Sequence, residues 1–115
     1  MAVAVFVRYT GVSLSEYDAL MAHFGFDASP PIGEILHVAA EAPGYLDVCE
    51  VWQTEEAAET FIEERLRPAL RAQGSPADLD VRIAPLHNLF APDMETIERI
   101  GAVSLPAHVA SSVLS

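Results

Sequence analysis

LHVAAEAPGYLDVCEVW, residues 36 to 52, holds two apolar runs joined by Pro43-Gly44, a pair suited to the central positions of a type II turn. Residues 34 to 41 and 45 to 53 therefore read as the two strands of a β-hairpin. With Ala42 and Tyr45 flanking the turn, His37 falls opposite Glu50 and Ile35 opposite Trp52. A slip of two residues would keep the same faces, whereas a slip of one would turn every side chain over. His37 and Glu50 occupy positions where a sheet normally wants aliphatic side chains. They share a face with Ile35, Ala39, Leu46, Val48 and Trp52.

Working outward, residues 2 to 9 (AVAVFVRY) are rich in valine and aromatics and stop at Thr10-Gly11, which predicts a strand. Ser13 stands three residues before Glu16 as a capping box, with Val12 placed to staple against Tyr17. The helix that begins there carries Tyr17, Leu20, Met21 and Phe24 on one face, and Gly25 stops it. DASPPIG, residues 27 to 33, reads as a loop. After the hairpin, Thr54 caps a long helix whose first turn bears Glu55 and Glu56, matched to the positive end of the helix dipole. Ala58, Phe61, Ile62, Leu66 and Leu70 form its buried stripe, Pro68 should kink it, and Gly74-Ser75-Pro76 ends it. LDVRIAPLH, residues 79 to 87, is the fourth strand, with Pro85 marking an edge or bulge. The order is βαββαβ over residues 1–90. A short helix at residues 92 to 101 and an apolar tail with Pro106 and His108 form an appendage, residues 91–115.

The 115 residues include 17 acidic side chains against six arginines and no lysine, for a net charge of −11. Such a surface repels phosphate backbones and anionic membranes, so neither nucleic acid nor a membrane is an expected partner. Cys49 is the single cysteine, which excludes an intrachain disulfide and fits a reducing cytoplasm. The N-terminal run lacks a positively charged segment before it and reads as a strand, not a signal peptide. No apolar stretch approaches the roughly 20 residues needed to span a bilayer. No His pair stands at i, i+2 or i, i+4, and there is no nucleophile elbow, phosphate loop or dinucleotide fingerprint. No metal and no cofactor is expected.

Glu50-Val51-Trp52-Gln53-Thr54-Glu55-Glu56-Ala57 resembles the Glu-x-Trp-x-[Ser/Thr]-x-Glu-Ala run of the ferredoxin-like dimeric α/β-barrel superfamily, which includes antibiotic-biosynthesis monooxygenases, polyketide cyclases and muconolactone-isomerase-like proteins. The alanine falls one place late. The resemblance covers residues 2 to 90, and small bacterial proteins ending in His-Asn-Leu-Phe, here His87 to Phe90, are also similar. It implies an α+β fold: a four-stranded antiparallel sheet with both helices on one face, dimerising through the other face into a barrel around a pocket. It also implies that Glu50 and Trp52, and with them His37, look into that barrel. Haem-degrading relatives use a histidine in the second helix, where this chain has none.

The candidate site follows from these positions. His37 and Glu50 form a general acid/base couple in one reading, the carboxylate orienting the imidazole across the strands, and a structural buried pair in the other. Trp52 either walls the pocket or belongs to the core. Tyr9 lines the pocket if the first strand turns Val5, Val7 and Tyr9 inward, and does not if it turns Phe6 and Arg8 inward. His87 and Asn88, at the end of the last strand, would hydrogen-bond a ligand at the pocket mouth, or merely make the turn. The function expected is a cofactor-independent enzyme for a small apolar aromatic or polyketide-like molecule, working by cyclisation, isomerisation or oxygenation. The alternative is a non-catalytic ligand-binding or dimerisation protein. A face bearing Ile35, Leu46, Val48 and Trp52 is expected to drive homodimerisation.

Overall fold

The computed structural model describes residues 1–25, 31–75 and 78–100. The expectations for the start of the loop after Gly25, for Pro76, and for the tail with Pro106 and His108 lie outside these residues. Strand β1 (Val3–Thr10), helix α1 (Leu14–Phe24), strands β2 (Glu34–Ala42) and β3 (Tyr45–Trp52), helix α2 (Glu55–Phe61), a π-helical turn (Ile62–Leu66), helix α3 (Arg67–Gln73), strand β4 (Asp78–Pro85) and helix α4 (Met94–Ile100) follow in order. The strands form one antiparallel sheet in the order β2-β3-β1-β4. This is the βαββαβ ferredoxin-like fold.

Local chemistry sets the helix boundaries. The Ser13 hydroxyl accepts from the Glu16 amide at 3.1 Å while the Glu16 carboxylate accepts from the Ser13 amide at 3.0 Å, so two amides with no helical partner are satisfied. Gly25 closes α1 in the left-handed region at φ 58°, which a β-carbon disfavours. The expected kink at Pro68 takes the form of a widened turn: the Arg67 amide reaches back to the Ile62 carbonyl, five residues away. Proline has no amide to donate, so one extra residue in the preceding turn lets the helix continue past it.

Hairpin register agrees with the reading at Ala42↔Tyr45 and His37↔Glu50 but departs at its far end. A β-bulge between Glu34 and Leu36 puts Glu34, not Ile35, opposite Trp52. Ile35 is the surplus residue and stands half exposed. Gly33 leads into this bend at φ 94°, where an added β-carbon would lie 2.9 Å from that of Ala57. Only glycine lets the chain pass under the start of α2.

The larger departure concerns the faces. Val3, Val5, Val7 and Tyr9 of β1 and Leu46, Val48 and Trp52 of β3 are buried with Tyr17, Leu20 and Phe24 of α1 and Phe61, Ile62 and Leu66 of the second helical segment. The His37, Glu50 and Trp52 face therefore lies under the helices and does not look out toward a partner. Leu46, Val48 and Trp52 cannot drive dimerisation, and Ile35 leaves their row through the bulge. The uncovered face instead carries Phe6, Arg8, Val38, Asp47, Cys49 and Arg82 around a shallow groove of about 350 Å³. Arg8, Asp47, Asp80 and Arg82 were the available signal, since four alternating charged residues on β1, β3 and β4 mark the face that helices do not cover.

Candidate functional site

His37 is the hub of a cluster set between the sheet and α1. Its Nδ1 lies 3.0 Å from Oε2 of Glu50 on the neighbouring strand and 3.8 Å from Oε1 of Glu34 on its own. Its Nε2 is 2.5 Å from the Tyr17 hydroxyl on α1, and the two rings are stacked at 6.2 Å. Glu50 is, among the described residues, the buried charged residue of the core and uses its other oxygen, Oε1, to accept from the Trp52 indole N–H at 2.9 Å. The Nδ1 contact with Glu50 is close enough for an ion pair but is not aligned as a hydrogen bond. Among the described residues, neither Nδ1 nor Oε2 of Glu34 has a hydrogen-bond partner, although both atoms are buried.

Each member arrives for a local reason. The antiparallel register fixes His37 against Glu50. The bulge brings in Glu34: in an unbroken strand, residues three apart point to opposite faces, and the surplus Ile35 turns Glu34 to the same side as His37. Tyr17 arrives because the capping box sets the start of α1 and thereby the face it turns to the sheet. Tyr9 packs edge-on against Tyr17 at 6.3 Å and is buried, which resolves the two options for β1 in favour of Val5, Val7 and Tyr9 toward the helices.

Burial and charge oppose each other at this site. Burial alone would pull the His37 pKa down, but pairing with Glu50 and the nearby Glu34 charge outweigh it, so the net shift is upward. The Glu34 carboxyl is pushed up to about 7 by burial and by the Glu50 charge, against a smaller downward pull from His37. The Tyr17 and Tyr9 hydroxyls are both raised, chiefly by burial and then by Glu50. Glu34 and His37 therefore both hold their protons to higher pH than usual.

Glu34 and His37 each contribute stability that is fully present below their unfolded pKa values and lost as pH rises through the folded ones. For Glu34, a rise from 4.5 to about 7 corresponds to roughly 3 kcal/mol. Urea denaturation in EDTA should accordingly show stability falling between pH 5 and pH 8, with His37 adding to the same trend. Glu34→Gln should flatten that slope; an equally steep slope in the variant would show that Glu34 does not carry it.

His87 and Asn88 are not part of this cluster. β4 ends at Pro85, one residue beyond which the Leu86 amide still bonds to the Ala2 carbonyl, and His87 and Asn88 follow as exposed residues. β4 and β2 are the two opposite edges of the sheet, so His87 and His37 are separated by its full width. Two residues of the cluster escaped the sequence reading. Tyr17 looked like one more apolar position in a helix stripe, and Glu34 looked like the first residue of a regular strand.

No family model and no curated protein sequence matches the chain. Solved structures do match in fold. SnoaB, a cofactor-independent oxygenase from Streptomyces nogalater, superposes with a TM-score of 0.59 at 13% identity over 77% of this chain and 96% of that one. A Deinococcus radiodurans protein provisionally described as an antibiotic biosynthesis monooxygenase gives 0.57 at 16% identity over 76% and 96%. NE2512 from Nitrosomonas europaea, of unknown function, gives 0.61 at 16% identity over 79% and 94%. The chain thus shares the ferredoxin-like fold of these proteins. At these identities the likeness concerns the fold. Among the described residues, no helix is long and apolar enough to cross a membrane.

Proposed function

We propose that the protein is a cofactor-independent enzyme that removes a proton from a small apolar, aromatic or polyketide-like substrate. The observation that supports this is the chain Glu50–His37–Tyr17: a buried carboxylate on one ring nitrogen and a phenol on the other. With Nδ1 protonated toward Glu50, the neutral ring accepts the Tyr17 proton at Nε2. Tyr17 passes its proton to Nε2 as its oxygen takes the substrate's, and Nε2–H then donates back to the tyrosine oxygen. Glu50 stabilises the imidazolium, and Trp52 holds Glu50 in place. Cyclisation by aldol attack, keto-enol isomerisation and oxygenation of a phenolate all begin by removing a proton to leave an enolate or phenolate. One base couple therefore serves all three, and SnoaB, which shares the fold, is itself a cofactor-independent oxygenase. Tyr9 and Trp52, both buried, back the cluster from the core side.

Solvent exchange tests the step directly. Phenolic polycyclic ketones incubated in D2O should exchange their acidic C–H protons faster with the protein than without it. Tyr17→Phe keeps the ring and its packing but removes the hydroxyl on Nε2, and should slow exchange about tenfold or more, at the low end of what acid/base groups contribute. Exchange no faster than in buffer across such a panel would favour the non-catalytic binding alternative.

The working assembly in this reading is a cytoplasmic homodimer formed through the uncovered face. Exposed Phe6 and Val38 supply an apolar centre there, and the bidentate Arg8–Asp47 pair, at 2.8 and 2.9 Å, lies beside it. Light scattering at micromolar concentration should give twice the chain mass. A monomer mass would reject the dimer.

A further inference from the structure

We infer that Glu34, His37 and Glu50 form a binding site for a first-row divalent metal ion of the zinc type. The inference rests on the cluster's geometry and goes beyond the proton-transfer reading. One donor atom from each residue can be chosen so that all lie within 4.8 Å of one another. Nδ1 is 3.0 Å from one carboxylate and 3.8 Å from the other, bracketing the separation of about 3.4 Å between ligands of a tetrahedral ion with bonds of about 2.0–2.1 Å. One imidazole and two carboxylates make a borderline donor set that suits Zn²⁺ and its neighbours better than Ca²⁺ or Mg²⁺.

Three further observations point to an occupant. Nδ1 of His37 and Oε2 of Glu34 are buried with no described hydrogen-bond partner, and buried polar atoms are rarely left so. Two carboxylates converge on one imidazole, and when both are ionised a protonated ring balances only one of them, whereas a dication balances both. The outer contacts of a metal centre are already present: Tyr17 engages the far nitrogen of the histidine, and the Trp52 N–H holds the far oxygen of Glu50. The bulge at Ile35 interrupts the ladder at the point that brings Glu34 into the set. Three protein ligands leave a fourth position open, as in catalytic rather than structural zinc sites.

Metal and proton compete for the same atoms, so the metal-loaded and acid/base forms of the site are mutually exclusive. Zinc uptake can be read without any substrate, which separates a failure of this inference from a failure of the proton-transfer reading. Chelator-stripped protein titrated with Zn²⁺ in a calorimeter should bind one ion per chain with micromolar or tighter affinity. Tyr17→Phe, which removes only an outer contact, should weaken binding 10- to 100-fold. Glu34→Gln should weaken it further, and His23→Gln on the exposed side of α1 should not change it. If Glu34→Gln fails to fold, Co²⁺ added to the unaltered protein decides: a stoichiometric visible absorption that Zn²⁺ abolishes supports the site. No saturable uptake at 100 µM Zn²⁺, uptake equal in Glu34→Gln, or no Co²⁺ band would overturn it.

Discussion

Replacing His37 by Gln is expected to slow proton exchange by about 10²- to 10⁴-fold, the usual contribution of a positioned acid/base group. Such a loss can be separated from unfolding because the glutamine amide can serve both neighbours of the imidazole. Its NH2 can donate toward Glu50, and its carbonyl can accept from the Tyr17 hydroxyl. Glu50→Gln should slow exchange in the same direction, because an amide cannot stabilise the imidazolium as a carboxylate does. It keeps an oxygen for the Trp52 N–H, which limits the structural cost. A purely structural pair behaves in the opposite way, with exchange unaffected and stability lowered by roughly 1–3 kcal/mol as the remaining partner is left unsatisfied. Exchange rates beside melting temperatures for both variants discriminate the two outcomes. Stable variants exchanging at the wild-type rate would remove His37 and Glu50 from the mechanism.

Trp52→Ala should be strongly destabilising. Trp52 has no exposed surface, meets Phe61 at 5.5 Å between ring centroids and approaches Gly33 beneath the start of α2. Emptying such a position costs about 3–5 kcal/mol. The variant also strips the donor from Oε1 of a buried carboxylate, a further 1–3 kcal/mol or so. Against the roughly 5–15 kcal/mol that holds a typical domain together, that sum is a large share of the whole. Trp52→Phe, which keeps most of the ring, should lose about the hydrogen-bond part alone. Urea midpoints at pH 6 measure both. A cost below about 1 kcal/mol for Trp52→Ala would mean that the indole is not the anchor between sheet and second helix.

The same tryptophan shows why the sheet's two sides were hard to tell apart in one dimension. Val38, Cys49 and Val51 on one side alternate with Ala39, Val48 and Trp52 on the other, so both rows of the hairpin look fit for burial. A resemblance that implied a barrel-facing Trp52 then tipped the choice the wrong way. Bulk and charge decide it in three dimensions: the valine and tyrosine row of β1 fits under two helices, while the row carrying Arg8 does not.

Sequence by itself determined what depends on near neighbours along the chain. The Pro43-Gly44 turn and period-two alternation specify the hairpin and the His37–Glu50 pairing, the capping box starts α1, and the stripe from Ala58 to Leu70 seats the second helical segment. These signals act over a few residues, through turn geometry, capping hydrogen bonds and side-chain period. Tertiary structure alone decided the content of the site. Tyr17 meets His37 because a helix folds back over the sheet, and Glu34 joins them because one surplus residue in β2 reverses its side. A bulge of one residue leaves composition and hydropathy unchanged, yet it turns a lone histidine–carboxylate pair into a buried cluster of three ionisable groups.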